Sequence, residues 1–216
     1  MNTSVTRDTL ILWTGNFGQA VAAALASDVG VRSALLTHDQ LADPIAHLVP
    51  HKPNLVVFVG NRPLRLDLLR VDECLWHSGI SWTACELNDM RLLLGPNVLP
   101  GVSPCFRCCS ARYRGMAFEK TALTEEAAFE RHLTLNGEVQ VHGFTPAIVH
   151  MAVAHIRAFR HDCSGRAGQL REIALPDISI RQGRAIALHG CRLCRPAPAA
   201  PADRFTVGLK AAIGIL

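Results

Sequence analysis

Two Cys-x-x-Cys pairs, Cys105-Phe106-Arg107-Cys108 and Cys191-Arg192-Leu193-Cys194, constrain this 216-residue chain more than any other feature. Two intervening residues let both sulfurs of a pair turn toward one ion, and four thiolates at tetrahedral corners are a donor set that suits zinc. The pairs stand 82 residues apart, far beyond the spacing of a compact zinc ribbon. A Zn2+ ion on Cys105, Cys108, Cys191 and Cys194 therefore has to join distant parts of one fold and staple the C-terminal end onto the rest. Four thiolates leave no open position for water, so the metal expected is structural.

Two other readings of the same cysteines stay open. A redox dithiol of thioredoxin type belongs at a helix start beside a strand, and two of them would be redundant. Two disulfides conflict with a reducing compartment. The N-terminus MNTSVTRDTL lacks the apolar stretch of a secretory signal, and no apolar run reaches the roughly 18 residues of a membrane span, so the expected location is cytoplasmic. Cys109 breaks the pair spacing and reads as a spare thiol. Cys74, Cys85 and Cys163 read as small buried apolar residues.

The rest of the chain is patterned as an α/β fold. Apolar runs at Leu10–Thr14, Ala34–Thr37, Leu55–Gly60 and Ser81–Leu87 predict strands, with helical spacing of Phe17, Val21, Ala24 and Leu25 between the first two. A weaker stripe of Leu66, Leu69 and Trp76 lies between the last two. Strand and helix taking turns imply a Rossmann-like, mostly parallel sheet with helices on both faces. Beyond Leu92, Gly95-Pro96, Pro100-Gly101 and Pro104 predict loop or bent edge strands that deliver the chain to Cys105. A helix is expected near Thr124, with Glu125 and Glu126 in its first turn. A clearer one has Thr145 as cap, Pro146 at its first position and a stripe of Ile148, Met151, Ala152, His155, Ile156 and Phe159. Extended structure returns at Leu170–Leu175 and Ile178–Leu188, with a turn expected at Gln182-Gly183. The predicted domain covers 1–195; 196–216 reads as an Ala/Pro linker and an apolar tail packing on the same or a sister subunit.

Apolar residues make up 49% of the chain and charged ones 19%, enough to bury a core. Its net charge of +4 is spread over scattered arginines with few aromatics, which argues against nucleic-acid binding. The turn ILWTGNFGQAVAAAL places Gly15 and Gly18 in the second and third positions of a dinucleotide-type glycine frame, with Trp13 where the first glycine would stand. Asp39 follows Gly18 at about the offset of a ribose-binding carboxylate. These three are weak nucleotide candidates, set against glycines that merely permit close packing of helix on strand. His155 reads as a satisfied core histidine and His189 as a neighbour of the metal. No Ser/His/Asp order, HExxH helix or phosphate loop is present, so no catalytic residue is assigned.

The segments GPNVLPGVSPCFRCCSARYRG, FTPAIVHMAVAHIRAF and HGCRLCRP resemble the ThiF-like partner proteins of azole-forming peptide maturation, the leader peptide-binding proteins of thiazole/oxazole-modified microcins. The likeness runs from about Leu10 to Arg195, and its most specific part is Pro-Cys-x-x-Cys with Arg112 following. It implies a ubiquitin-activating-type adenylation fold with its zinc, a YcaO-type cyclodehydratase and a precursor peptide as partners, and a homodimer. Full adenylating members have a complete glycine turn, an Asn-Leu-x-Arg-Gln segment and an acidic residue where this chain has Gly60 and Asn61. Those departures predict a subunit without adenylation chemistry; an adenylating enzyme and an NAD-linked oxidoreductase are the alternatives from the enzyme class. A chain entering its first strand by Leu10 is expected to lack the winged-helix recognition module of larger members.

Overall fold

The four apolar runs all enter one sheet of the computed structural model, which describes residues 7–37, 43, 48, 52–62, 64–88, 90–116, 128, 132 and 143–195. The strands are β1 (Thr9–Trp13), β2 (Val31–Leu35), β3 (Leu55–Gly60), β4 (Ser81–Asn88), β5 (Arg91–Leu94), β6 (Gln169–Ala174) and β7 (Ser179–Arg184). The helices are α1 (Gly15–Leu25), α2 (Arg65–His77), α3 (Phe106–Met116) and α4 (Pro146–His161). The sheet order is β2-β1-β3-β4-β5-β6-β7. The first four strands run parallel, and β5, β6 and β7 are added antiparallel. Chain order reverses between β1 and β3, the topological switch point of such sheets.

Strand alternation divides the core in two. Ile11, Leu55, Val57, Val59, Leu87 and Leu92 face α1 and α4. Leu10, Leu12, Val56, Phe58, Trp82 and Ala84 face the other way, onto α2 and Phe106 of α3. Strands covered on both sides favour apolar residues, and β3 is the unbroken run LVVFVG with every residue buried; β4, equally covered, includes buried Ser81, Thr83 and Glu86 as well. Edge strand β2 has no such demand: it includes Arg32 and Ser33 and begins earlier than its apolar run, opposite Thr9.

Several local expectations are corrected. In α1 it is Ala22 that enters the core, while Ala24 faces solvent. In α2 the buried stripe is Leu64, Leu68, Val71 and Leu75, and Leu66, Leu69 and Trp76 are only half-buried. Its phase was hidden because two acids, Asp67 and Asp72, lie on the buried side. Asp67 meets Arg62 at 2.8 Å as a charge contact rather than an aligned hydrogen bond. Leu92 and Leu94 belong to an interior strand, β5, between β4 and β6. Thr145 occupies the cap position of α4 without a side-chain capping bond. No turn forms at Gln182-Gly183: both lie within β7, opposite Arg171 and Leu170, and the turn falls at 175–178, where Asp177 Oδ1 accepts from the Ser179 N–H.

The helix expected near Thr124 is seen only at Ala128 and His132, both helical; its remainder, Asp39 and the tail from 196 lie outside the described residues. Among the described residues no helix is long and apolar enough to cross a membrane.

Candidate metal centre

The first cysteine pair is built from the core outward. Cys105 and Cys108 lie at the head of α3, and the residue between them, Phe106, stacks at 5.5 Å against Trp82, which meets Phe58 edge-on at 5.8 Å. One intervening position of the motif is thus anchored in the sheet. Buried Asp72 of α2 accepts from the Phe106 N–H at 3.1 Å and from the Arg107 N–H at 3.0 Å, satisfying amides that the helix start leaves without partners. Desolvation raises the Asp72 pKa against the pull of those two N–H groups.

The second pair arrives on the loop after β7. Arg112 of α3 donates from Nε to the Ile186 carbonyl at 2.7 Å and from its guanidinium NH2 to the Ala187 carbonyl at 2.8 Å, a fork holding the loop just ahead of Cys191. The next N–H, of Leu188, points at Cys108 Sγ at 3.2 Å. His189, expected beside the metal, is exposed.

These supports bring Cys105 Sγ to 3.7 Å from Cys191 Sγ and Cys108 Sγ to 3.5 Å from Cys194 Sγ, with all four sulfurs within 4.8 Å of one another. Zinc–sulfur bonds of about 2.3 Å at tetrahedral angles separate sulfurs by about 3.8 Å. The cluster can therefore hold a metal ion such as zinc. All eight cysteines are free thiols, so the pairs are not disulfides. Burial drives the Cys105 thiol far up and Cys108 up to about 11. Burial also acts on Cys191, but the Cys194 and Leu193 N–H groups together with hydrogen bonds from the Cys108 and Cys105 thiols outweigh it and bring that thiol down to about 7. Four thiolates this close would repel one another strongly without a cation among them. Cys109, next in sequence, stands outside the cluster, and burial followed by the Asp72 charge raises it to about 11. Cys85 and Cys163 are buried and Cys74 is half-buried; the Cys163 thiol donates to the Phe159 carbonyl one helical turn back.

The glycine turn lies at the other landmark, the carboxyl ends of β1 and β3. Gly15 takes φ +68, and a Cβ there would collide with the Asn61 side chain. A Cβ on Gly18 would stand 2.8 Å from the Val59 carbonyl oxygen and 3.0 Å from Trp13 Cβ. Both glycines are thus explained by close packing of α1 on the sheet, and Gly15 makes its close approach to this chain's own Asn61. His155 is the satisfied core histidine expected: Nε2 lies 3.0 Å from Asn97 Oδ1, which also accepts from Thr83 Oγ1 at 2.7 Å. Burial, with Arg171 and Arg166 adding to it, lowers the His155 pKa to about 4. Sequence reasoning missed Asp72 and Asn97. A polar residue on the buried side of an apolar helix was the available signal for Asp72; nothing in the sequence marked Asn97.

No protein-family model and no curated protein matches the chain. Solved structures do. A heterocyclase in complex with substrate and cofactor superposes with TM-score 0.60 at 16% identity over 88% of this chain. The heterocyclase TruD gives 0.59 at 14% over 88%, and E. coli MccB with MccA gives 0.60 at 12% over 88%. Their shared fold is the fold of this chain. The chain spans 25% and 28% of the two heterocyclases and 67% of MccB.

Proposed function

We propose that the chain is a non-catalytic, zinc-stapled ThiF-like subunit that works with a YcaO-type cyclodehydratase, presenting a ribosomal precursor peptide whose Cys, Ser or Thr residues become azolines. The observation that carries this reading is the joining of the four-sulfur cluster to a fold shared with heterocyclases. Cys105, Cys108, Cys191 and Cys194 hold one zinc ion, which contributes no chemistry to the peptide and fixes the C-terminal loop to α3. Residues 1–195 form the working domain, and the active assembly is a cytoplasmic homodimer that neither binds nucleic acid nor enters a membrane. A dimer accords with the common isologous pairing of such folds. Nucleotide has no role on this reading, which is supported by the Asn61 side chain standing where a Cβ on Gly15 would be, so that packing alone accounts for the glycine. The test is reconstitution: the subunit should co-purify with a YcaO protein, and its addition should produce loss of one water per ring from the precursor peptide, read by mass spectrometry. Equal ring formation without the subunit overturns the proposal.

A second reading, a ThiF-type adenylating enzyme acting on a peptide or carrier-protein carboxylate, is favoured by one observation. The β1/β3 switch point and its glycine turn are both retained, on a fold shared with MccB, of which one structure contains AMPCPP. It predicts ATP–pyrophosphate exchange with a carboxylate substrate. On our reading no exchange occurs.

A further inference from the structure

The sheet ends at β7, and nothing among the described residues pairs with its outer edge. All six residues of β7 are exposed. Unpaired edges recruit other strands unless blunted by proline, charge or a bulge; Ser179–Arg184 contains no proline, and its charges, Arg181 and Arg184, are of one sign, which deters a like edge and favours an acidic partner. The ladder fixes which backbone groups are on offer. The Ala185 N–H donates to the Gly168 carbonyl at 2.7 Å, which sets the antiparallel alternation between β6 and β7. Arg181 and Gly183 accordingly turn their N–H and C=O groups inward to β6, while the Ser179 N–H is taken by Asp177 Oδ1 in the turn. Ile180, Gln182 and Arg184 turn theirs outward.

The side chains along this edge combine apolar and cationic character. Ile180 extends the cross-sheet row Leu92–Ile173–Ile180, yet it is 60% exposed, and Ile178 and Ile186 on either side are each 63% exposed. From Ile178 to Arg195 the sequence holds four arginines, Arg181, Arg184, Arg192 and Arg195, and no acidic residue. All four arginines are exposed. Gly183 adds an open notch, since a Cβ there would meet nothing.

We infer that the outer edge of β7 is a docking site for an extended peptide segment that alternates apolar and acidic residues. Such a segment adds an eighth strand by pairing with the main chain of Ile180, Gln182 and Arg184. Its apolar side chains cover Ile178 and Ile180, and its carboxylates meet Arg181 and the arginines beyond the strand. The inference rests on the reading that this chain presents a peptide, and it names where the peptide is held.

The probe is a fluorescein-labelled decapeptide of alternating Glu and Val, titrated against the full chain by anisotropy, with a Lys/Val decapeptide as control. The acidic probe should bind and weaken as salt rises, the Lys/Val control should not bind, and amides 180, 182 and 184 should exchange more slowly in the bound state. Gln182→Pro removes one outward N–H without touching the β6 ladder and should weaken binding about tenfold. Arg181→Glu should also weaken it, with thermal midpoints of both variants checked against the parent. A third variant, Ile180→Ser, removes an apolar contact without adding charge, should also weaken binding, and guards against a proline-specific artefact. Absence of probe binding, or equal binding by all three variants, overturns the inference. So does slow exchange of these amides in the free chain, which would mean that a second copy or the chain's own apolar 205–216 segment already covers the edge. Probe binding at β7 without YcaO association sustains this site and removes the subunit role, so the two failures are distinguishable.

Discussion

The cysteine end and the glycine end of this molecule are both sequence motifs placed by the same sheet, and they differ in what fills them. At the cysteine end, Trp82 holds Phe106, Asp72 caps α3, and Arg112 forks onto the loop before Cys191, so that four sulfurs converge on a space sized for an ion. At the glycine end, the room that Gly15 and Gly18 create is taken up by Asn61, Val59 and Trp13 of the same chain. On the proposed reading, the motif with its supporting residues intact keeps its ligand chemistry, and the one whose close approach goes to its own side chain serves packing.

The largest effect that could sharpen this contrast comes from the sulfurs. Cys191→Ser leaves three thiolates and should lower the thermal midpoint by about 10 °C or more, with zinc content falling in parallel, measured by calorimetry and metal analysis. A Cys191→Ser protein as stable as the parent would make the cysteine end mere packing too.

Acid stability is the next test, because it has two sources that must be separated. His155 has a folded pKa of about 4, below its ordinary value of 6.5, so the unfolded chain takes up the proton first. Stability from this group is complete above pH 6.5 and lost as pH falls to about 4, a total near 3 kcal/mol. His155→Gln should flatten that part of a urea-midpoint profile. Of the acid loss that persists in the variant, the part that coincides with zinc release is proton competition for the thiolates, and the part that does not includes protonation of Asp28, whose pKa the Arg157 hydrogen bond lowers. An unchanged profile would show that folding leaves the His155 pKa where it is in the unfolded chain.

At the glycine end, Gly15→Ala combines a positive φ with the collision against Asn61 and should cost about 2 kcal/mol by denaturant unfolding. Adding Asn61→Gly should recover part of that loss if Asn61 fills the turn. Stabilisation of the unmodified chain by ATP would break the contrast outright. The smallest effect is expected from Arg112→Ala, about 1 kcal/mol, with faster zinc transfer to a chelator because the loop before Cys191 loses its fork.

What the sequence disclosed follows the same physics. Strand β3 is legible because burial on both faces favours an unbroken apolar run, and the cysteine pairs because their spacing has few other uses. The phase of α2 is not, since Asp67 and Asp72 interrupt its buried side, where they serve Arg62 and the α3 amides. Gly183 read as a turn because glycine usually interrupts strands, whereas an edge strand with open space beside it tolerates one. Asn97, which ties Thr83 and His155 to the Arg166 carbonyl, depends on contacts 14 to 69 residues away, and no local pattern announces it.

X-ray absorption at the zinc edge of the purified full chain, combined with elemental analysis, bears most directly on the central claim. One zinc per chain with four sulfur scatterers at about 2.3 Å is the predicted result. A chain free of stoichiometric metal, or a metal bound through nitrogen and oxygen, would contradict it.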